Sequence, residues 1–174
     1  LFYAFFITTI DKKGFKMIEK TLVLIKPDGV VRGLCGNIIS RFENAGLKIV
    51  GMKMLWVSRD MAKEHYKEHV DKPFYVGLEK FITEGPVVGM VIEGNDAIEV
   101  VRKIVGPTEP KAAQPGTIRG DFSHISYKFA DNKNIAVKNL IHASANQEDA
   151  EREISLWFAP EQIHDYENVF EKTL

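Results

Sequence analysis

The segment Asn139-Leu-Ile-His142-Ala-Ser144 ends a short apolar run in an imidazole, and a strongly signalled helix follows it. A histidine placed there sits where a strand gives way to a loop, with rigid elements on both sides. Its two ring nitrogens suit it to act as a nucleophile or as a general base. Glu153 lies about two helical turns past a cap at Ser144 or Asn146, near enough to fold back and fix the ring in one tautomer. Ser144 can hydrogen-bond nearby. The competing reading is a strand-end histidine that is simply satisfied by its surroundings.

Cationic residues accompany it. Lys26 closes an apolar strand just before Pro27-Asp28-Gly29, a poor place for a core residue and a good one for reaching a polyphosphate. Arg102, Lys103, Thr108, Lys111 and Arg119 lie in or beside a Gly/Pro-rich loop. Arginine forks match phosphate oxygens and a threonine hydroxyl adds a donor, although a solvated basic loop has the same composition. His65 and His69 stand four apart on a predicted helix, but Tyr66 occupies the place where the zincin pattern requires glutamate, and no third ligand is apparent. Tyr66 and His69 can instead line a pocket. Phe74-Tyr75 reads either as core or as a platform on which a base stacks. His124 and His164 have no supporting neighbours and read as surface or structural residues. There is no Gly-x4-Gly-Lys-Ser/Thr loop, and Gly29, Gly33 and Gly36 do not form the dinucleotide fingerprint, so those two routes to phosphate binding are excluded.

The elements that must position these groups follow from the patterning. Lys20–Lys26 reads as a buried strand ending in a Pro-Asp-Gly turn, and residues 33–45 as a helix stopped by Gly46. Leu47 to Val57 alternates as a second strand. Ser58 caps a helix to about His69, and Phe74 to Thr83 forms another. Val87 to Ile92 is a third strand, and Asn95-Asp96 caps a helix through Val105. After the loop 108–122, Ser123 to Phe129 alternates and Asp131-Asn-Lys-Asn134 resembles a turn. This predicts a hairpin insertion over about 123–137 that leads into a fourth strand over Ile135–Ile141. The last long helix carries Ala150, Ile154, Trp157 and Phe158 on its apolar face. The order is β-α-β-(αα)-β-α-β. It predicts an α+β, ferredoxin-like split βαβ sandwich with a four-stranded antiparallel sheet, the hairpin insertion and an N-terminal arm.

The chain has 174 residues, 45% hydrophobic and 27% charged, with a net charge of −1. That fits one domain over 17–174 and argues against a protein that coats nucleic acid. No apolar run is long enough to span a bilayer, so no membrane role is expected. Cys35 is the only cysteine, which excludes an intrachain disulfide and favours a reducing, cytoplasmic setting; it reads as a small packing residue. Residues 1–16 read as an extension ahead of Met17, either a non-native start or an arm.

Taken together, Thr21-Leu-Val-Leu-Ile-Lys-Pro-Asp28, His65-Tyr66, Pro73-Phe-Tyr-Val-Gly-Leu78, Gly106-Pro-Thr-Glu-Pro110, Pro115-Gly-Thr-Ile-Arg-Gly-Asp-Phe122 and Asn139-Leu-Ile-His-Ala-Ser144 closely resemble the nucleoside diphosphate kinase family. The match runs from Met17 to about Tyr166. The resemblance implies ping-pong transfer of a γ-phosphate from a nucleoside triphosphate to a diphosphate through a phosphohistidine at His142. It further implies that Lys26 meets the transferring phosphate and the ribose and that Tyr66 lies beside His142. By the same likeness His69 and Arg102 contact the α- or β-phosphate, and Thr108 and Arg119 hold phosphate oxygens. Asn139 binds sugar hydroxyls, Phe74 stacks on the base, Glu153 orients the imidazole and Ser144 supports it. Mg2+ comes with the nucleotide, without direct protein ligands. Family members form homo-oligomers, hexamers or tetramers. Two departures stand out: the segment between Asp121 and Asn139 is longer than usual, and Ala145 stands where aspartate is common. The longer segment leaves open which residue faces the second side of the base. The alternative is a non-catalytic, nucleotide-responsive regulatory module on the same fold. An RNA-binding sheet is disfavoured because the aromatic strand motif it needs is missing.

Overall fold

The computed structural model describes residues 18–169; the proposed arm over 1–16 lies outside them. Four antiparallel strands form one sheet in the order β2-β3-β1-β4, namely β1 (Ile18–Ile25), β2 (Lys48–Trp56), β3 (Pro86–Asn95) and β4 (Ile141–Ala143). β1 is central, and Leu22, Val23, Leu24 and Ile25 are all fully buried. Its alternating side chains enter two different cores. Val23 and Ile25 join Ile38, Phe42 and Val101 beneath α2 (Cys35–Glu43) and α5 (Ala97–Val105). Leu22 and Leu24 join Ala62, Ile82 and Trp157 beneath α3 (Arg59–His65), α4 (Tyr75–Thr83) and α8 (Gln147–Trp157). A strand covered on both faces has no polar side, which is why this segment reads as an unbroken apolar run.

Local chemistry sets the helix ends. Ser58 caps α3 by accepting from the Met61 N–H, and Asn146 caps α8 by accepting from Asp149 N–H at 2.9 Å. Asp96 precedes α5 in the left-handed region at φ 47° and makes no cap bond. Glu19 of β1 does that work from across the sheet, accepting from Ile98 N–H at 3.2 Å.

Several expectations are corrected. The Pro27-Asp-Gly29 turn is a short helix, α1 (Pro27–Val31), with the proline at its first position, where its missing N–H costs nothing. The helix after Ser58 stops at His65 and resumes as a 3-10 turn over Lys67–His69. The Gly/Pro-rich loop contains α6 (Ile118–Phe122), capped by Thr117. The hairpin insertion over 123–137 is a helix, α7 (Tyr127–Lys133), followed by a stretch without regular structure. Ser126 caps α7 by accepting from Phe129 N–H, and Asn134 closes it in the left-handed region at φ 49°. These cap signals outweigh an alternation spread over only a few residues. The fourth strand is accordingly shorter, beginning at Ile141 and not at Ile135.

Candidate active site

The site is built on the turn that launches β4. Ile141 N–H donates to Asn139 C=O at 2.8 Å, closing a three-residue γ-turn about Leu140, whose φ is 70°. A non-glycine residue in this conformation is strained and persists only when its surroundings hold it. Leu140 is fully buried in the first core; its N–H donates to Asp28 Oδ2 at 3.1 Å and its carbonyl accepts from Lys26 N–H at 2.8 Å. Arg119 secures the flanks: Nε donates to the Asn139 carbonyl, Nη2 to the Ile141 carbonyl at 2.6 Å and Nη1 to the Gly106 carbonyl at 2.8 Å. Burial lowers the Arg119 pKa to about 10, with Arg102 adding to the effect while Tyr127 and Asp28 oppose it.

His142 emerges from this fixed turn, paired with Leu24 of β1. Its Nε2 lies 2.9 Å from Glu153 Oε2, and Ser144 Oγ donates to the same oxygen at 2.7 Å. Glu153 is 4% exposed, while the His142 side chain is 22% exposed. A carboxylate can only accept, so the neutral imidazole carries its proton on Nε2 and presents the Nδ1 lone pair. Ser144 is itself tied down, accepting from Leu22 N–H at 3.2 Å. Among sequence-predicted residues, Ser144 thus supports Glu153, and the cap of α8 falls to Asn146.

Lys26, 7% exposed, donates from Nζ to Asn139 Oδ1 at 2.8 Å, and Asn139 Nδ2 donates to the Thr108 carbonyl at 2.9 Å. One asparagine therefore joins the strand-end lysine to the basic loop. Burial, with Arg119 adding to it and Asp28 opposing, lowers the Lys26 pKa to about 7. Tyr66 is buried with its hydroxyl unpartnered among the described residues, and burial, then Glu153, pushes its pKa up. Its ring stacks on His69 at 6.4 Å, and His69 meets Phe74 at 5.6 Å, giving an aromatic row that ends in a 55% exposed Phe74. That exposure excludes Phe74 from the core. Thr108 and Arg102 are exposed; Arg102, in the last turn of α5, is close enough to Arg119 to influence its charge and also lines a shallow hollow with Glu19 and Ala145.

Two members of the site went unrecognised in the sequence. His65 appears there only as a weak metal ligand and Trp157 only as core, yet Trp157 Nε1–H donates to His65 Nδ1 at 3.2 Å and the His65 ring touches that of His142. The adjacency of His65 to Tyr66 was the available signal. His65, His142 and Glu153 each place a ligand atom within 4.8 Å of the others. Two imidazoles and one carboxylate do not suit Mg2+, which prefers oxygen ligands. Lys26 and Arg152 act on this cluster as neighbouring positive charges, and the His142–Glu153 pair is already a direct hydrogen bond.

A family model described as nucleoside diphosphate kinase matches residues 19–163. The chain belongs to the nucleoside diphosphate kinase family. The nucleoside diphosphate kinase of Pyrococcus furiosus is 58% identical over 149 residues, covering 86% of this chain and 88% of that protein. The kinase of Borreliella burgdorferi is 50% identical over 156 residues, covering 86% and 93%. Among solved structures, a transition-state mimic of the Borrelia burgdorferi kinase with vanadate and ADP superposes with a TM-score of 0.87 at 49% identity, over 90% of this chain and 96% of that one. A halophilic kinase from Halobacterium salinarum in complex with CDP gives 0.78 at 44% identity, over 89% and 97%. This chain is accordingly a nucleoside diphosphate kinase by family and fold, a phosphotransferase acting between nucleotides. Among the described residues, no helix is long and apolar enough to cross a membrane.

Proposed function

We propose that this kinase works by ping-pong transfer through Nδ1 of His142. The observation that carries the reading is the Glu153 carboxylate on Nε2, which leaves Nδ1 as the basic nitrogen. The Nδ1 lone pair attacks the γ-phosphorus of a nucleoside triphosphate. The N–P bond forms as the bond to the β-phosphate oxygen breaks, and the diphosphate leaves with the electron pair. The reverse attack by the terminal oxygen of a second diphosphate completes the exchange and restores the neutral ring. Splitting one transfer into two suits a nucleophile that is uncharged and already oriented.

The remaining roles in this reading are those the family resemblance implies. The Lys26 ammonium, when protonated, stabilises charge on the moving phosphoryl group, and the Arg119 guanidinium has N–H groups beyond its three carbonyl bonds to offer phosphate. Tyr66 offers a hydroxyl that has no partner among the described residues; Arg102, Thr108 and His69 border the phosphates; Asn139 meets the sugar; Phe74 provides an exposed face for any base. Mg2+ enters on the nucleotide phosphates and neutralises their charge, held by them and not by a protein cage. The outer edge of β2, left without a partner strand among the described residues, supports a homo-oligomer.

The test is brief exposure to γ-labelled ATP followed by acid and alkali treatment. We expect an acid-labile, alkali-stable label on His142 that discharges onto added GDP and is absent from His142→Ala. Glu153→Ala should label at least about 10–100-fold more slowly with nucleotide affinity largely kept, the cost found where a group that orients a metal-binding imidazole is removed. Nucleotide binding without any label on the native protein would leave only the non-catalytic, regulatory reading.

A further inference from the structure

Glu153 and Trp157 stand four residues apart on α8, so their side chains leave the helix on one face. Glu153 grips the His142 ring at Nε2. Trp157, buried, reaches in the same direction to a second imidazole, donating from Nε1 to His65 Nδ1. That bond makes Nδ1 the acceptor, so neutral His65 carries its proton on Nε2. His65 is the last residue of α3, and its ring meets that of His142 with centroids 4.7 Å apart and planes at 80°. Its Nε2 is buried and has no hydrogen-bond partner among the described residues. Phenylalanine would fill similar space without an unmatched polar atom, an arrangement that proteins otherwise avoid.

We propose that His65 is a positioning residue for transfer through His142: Trp157 locks it, and it braces the nucleophile's ring across its plane while Glu153 holds the ring's edge. The inference rests on the phosphohistidine reading and deepens it. A single hydrogen bond to Glu153 selects the tautomer but leaves the imidazole able to rock about that bond. A perpendicular ring in contact removes this freedom, and small errors of aim are costly in a displacement reaction. The two grips come from one helix face, so they keep register with each other. His65 must also stay uncharged, because His142 gains positive character as the phosphoryl group joins Nδ1. Burial, reinforced by His142, Lys26, Arg152 and His69, holds the His65 pKa well below the usual histidine range.

The experiment is single-turnover phosphorylation by γ-labelled ATP in the wild-type protein, His65→Phe, Trp157→Phe and the double variant, with ADP affinity measured on each. His65→Phe should slow labelling about 10–100-fold with ADP affinity unchanged. Trp157→Phe should slow it less. The double variant should be no slower than His65→Phe alone, because the indole acts only through the imidazole. A wild type that labels, beside a His65→Phe that labels equally fast, overturns the positioning role and leaves the kinase reading standing. Single-variant effects that multiply in the double variant also overturn it. A wild type that takes no label removes both. A measurement without variants guards against misfolding: 15N NMR of the native protein at neutral pH should show His65 only as the Nε2–H tautomer, with its resonances shifting when His142 is phosphorylated. A tautomer mixture, or resonances indifferent to phosphorylation, contradicts the proposal.

Discussion

Lys26 shows at the scale of one residue how a binding site trades against stability. Its ammonium is buried beside Arg119, and its pKa falls from 10.5 to about 7. Between those values the unfolded chain holds a proton that the folded chain has lost, so unfolding takes up a proton and stability rises with pH across that window. Below it both states are charged, and the full cost of burying the ammonium remains. A polyphosphate reverses the balance by favouring the charged form. ADP binding at about pH 8, where the lysine is largely neutral and the nucleotide fully ionised, should therefore take up a proton. Calorimetry in two buffers of different ionisation enthalpy measures this directly, and the uptake should be missing from Lys26→Gln. Equal uptake in that variant would assign the proton to another group.

At the scale of elements, the γ-turn at Leu140 decides where His142 points, and Asp28 is its most exacting support. Asp28 Oδ2 is the acceptor for a backbone N–H that the turn has taken out of any ladder. Asp28→Ala should destabilise the fold by about 1–3 kcal/mol in urea unfolding, the cost of a buried donor left unpaired. Asp28→Asn keeps an acceptor oxygen and should lose less than about half of that. Equal losses in both variants would point to charge and not to the hydrogen bond. This turn was illegible in the sequence. Leucine is not a residue that signals positive φ, and the strain is held by Lys26, Asp28 and Arg119, which lie far from it along the chain. Much else was legible for the opposite reason. The strands, α8 and the pairing of His142 with Glu153 depend on local periodicity and on spacing within one helix and its approach. The segment 123–137 misled because its alternation is short, and only the Ser126 and Asn134 caps betray α7. The partnership of His65 with Trp157 joins the ends of two helices 92 residues apart, a separation no local pattern encodes.

At the scale of the whole molecule, helices pack on both faces of the sheet, but among the described residues the far part of β2 is left uncovered. The C-terminal segment closes the first part of that edge: His164 N–H donates to the Val50 carbonyl at 2.7 Å, Tyr166 Oη donates to the Ile49 carbonyl, and Lys48 Nζ donates to the Tyr166 carbonyl. Beyond the bulge between Ile49 and Gly51 no strand among the described residues pairs with the outer edge of β2, and Met52, Met54 and Trp56 are 57%, 62% and 66% exposed. A long open edge carrying alternate large apolar side chains invites another chain, and monomeric proteins blunt such edges with charge or proline. Here Lys53 is turned instead toward Gln162 of the C-terminal segment, so it does not guard the strand. We therefore expect β2 to be a contact between copies of this chain. Met54→Lys combined with Trp56→Glu should reduce the mass measured by sedimentation, and an unchanged mass would place the contact elsewhere. The smaller species should still take label from γ-labelled ATP. The bonds of His142 and Ser144 to Glu153, and of Lys26 to Asn139, are all made within a single chain, so a chain parted from its copies keeps His142 and the carboxylate that holds it.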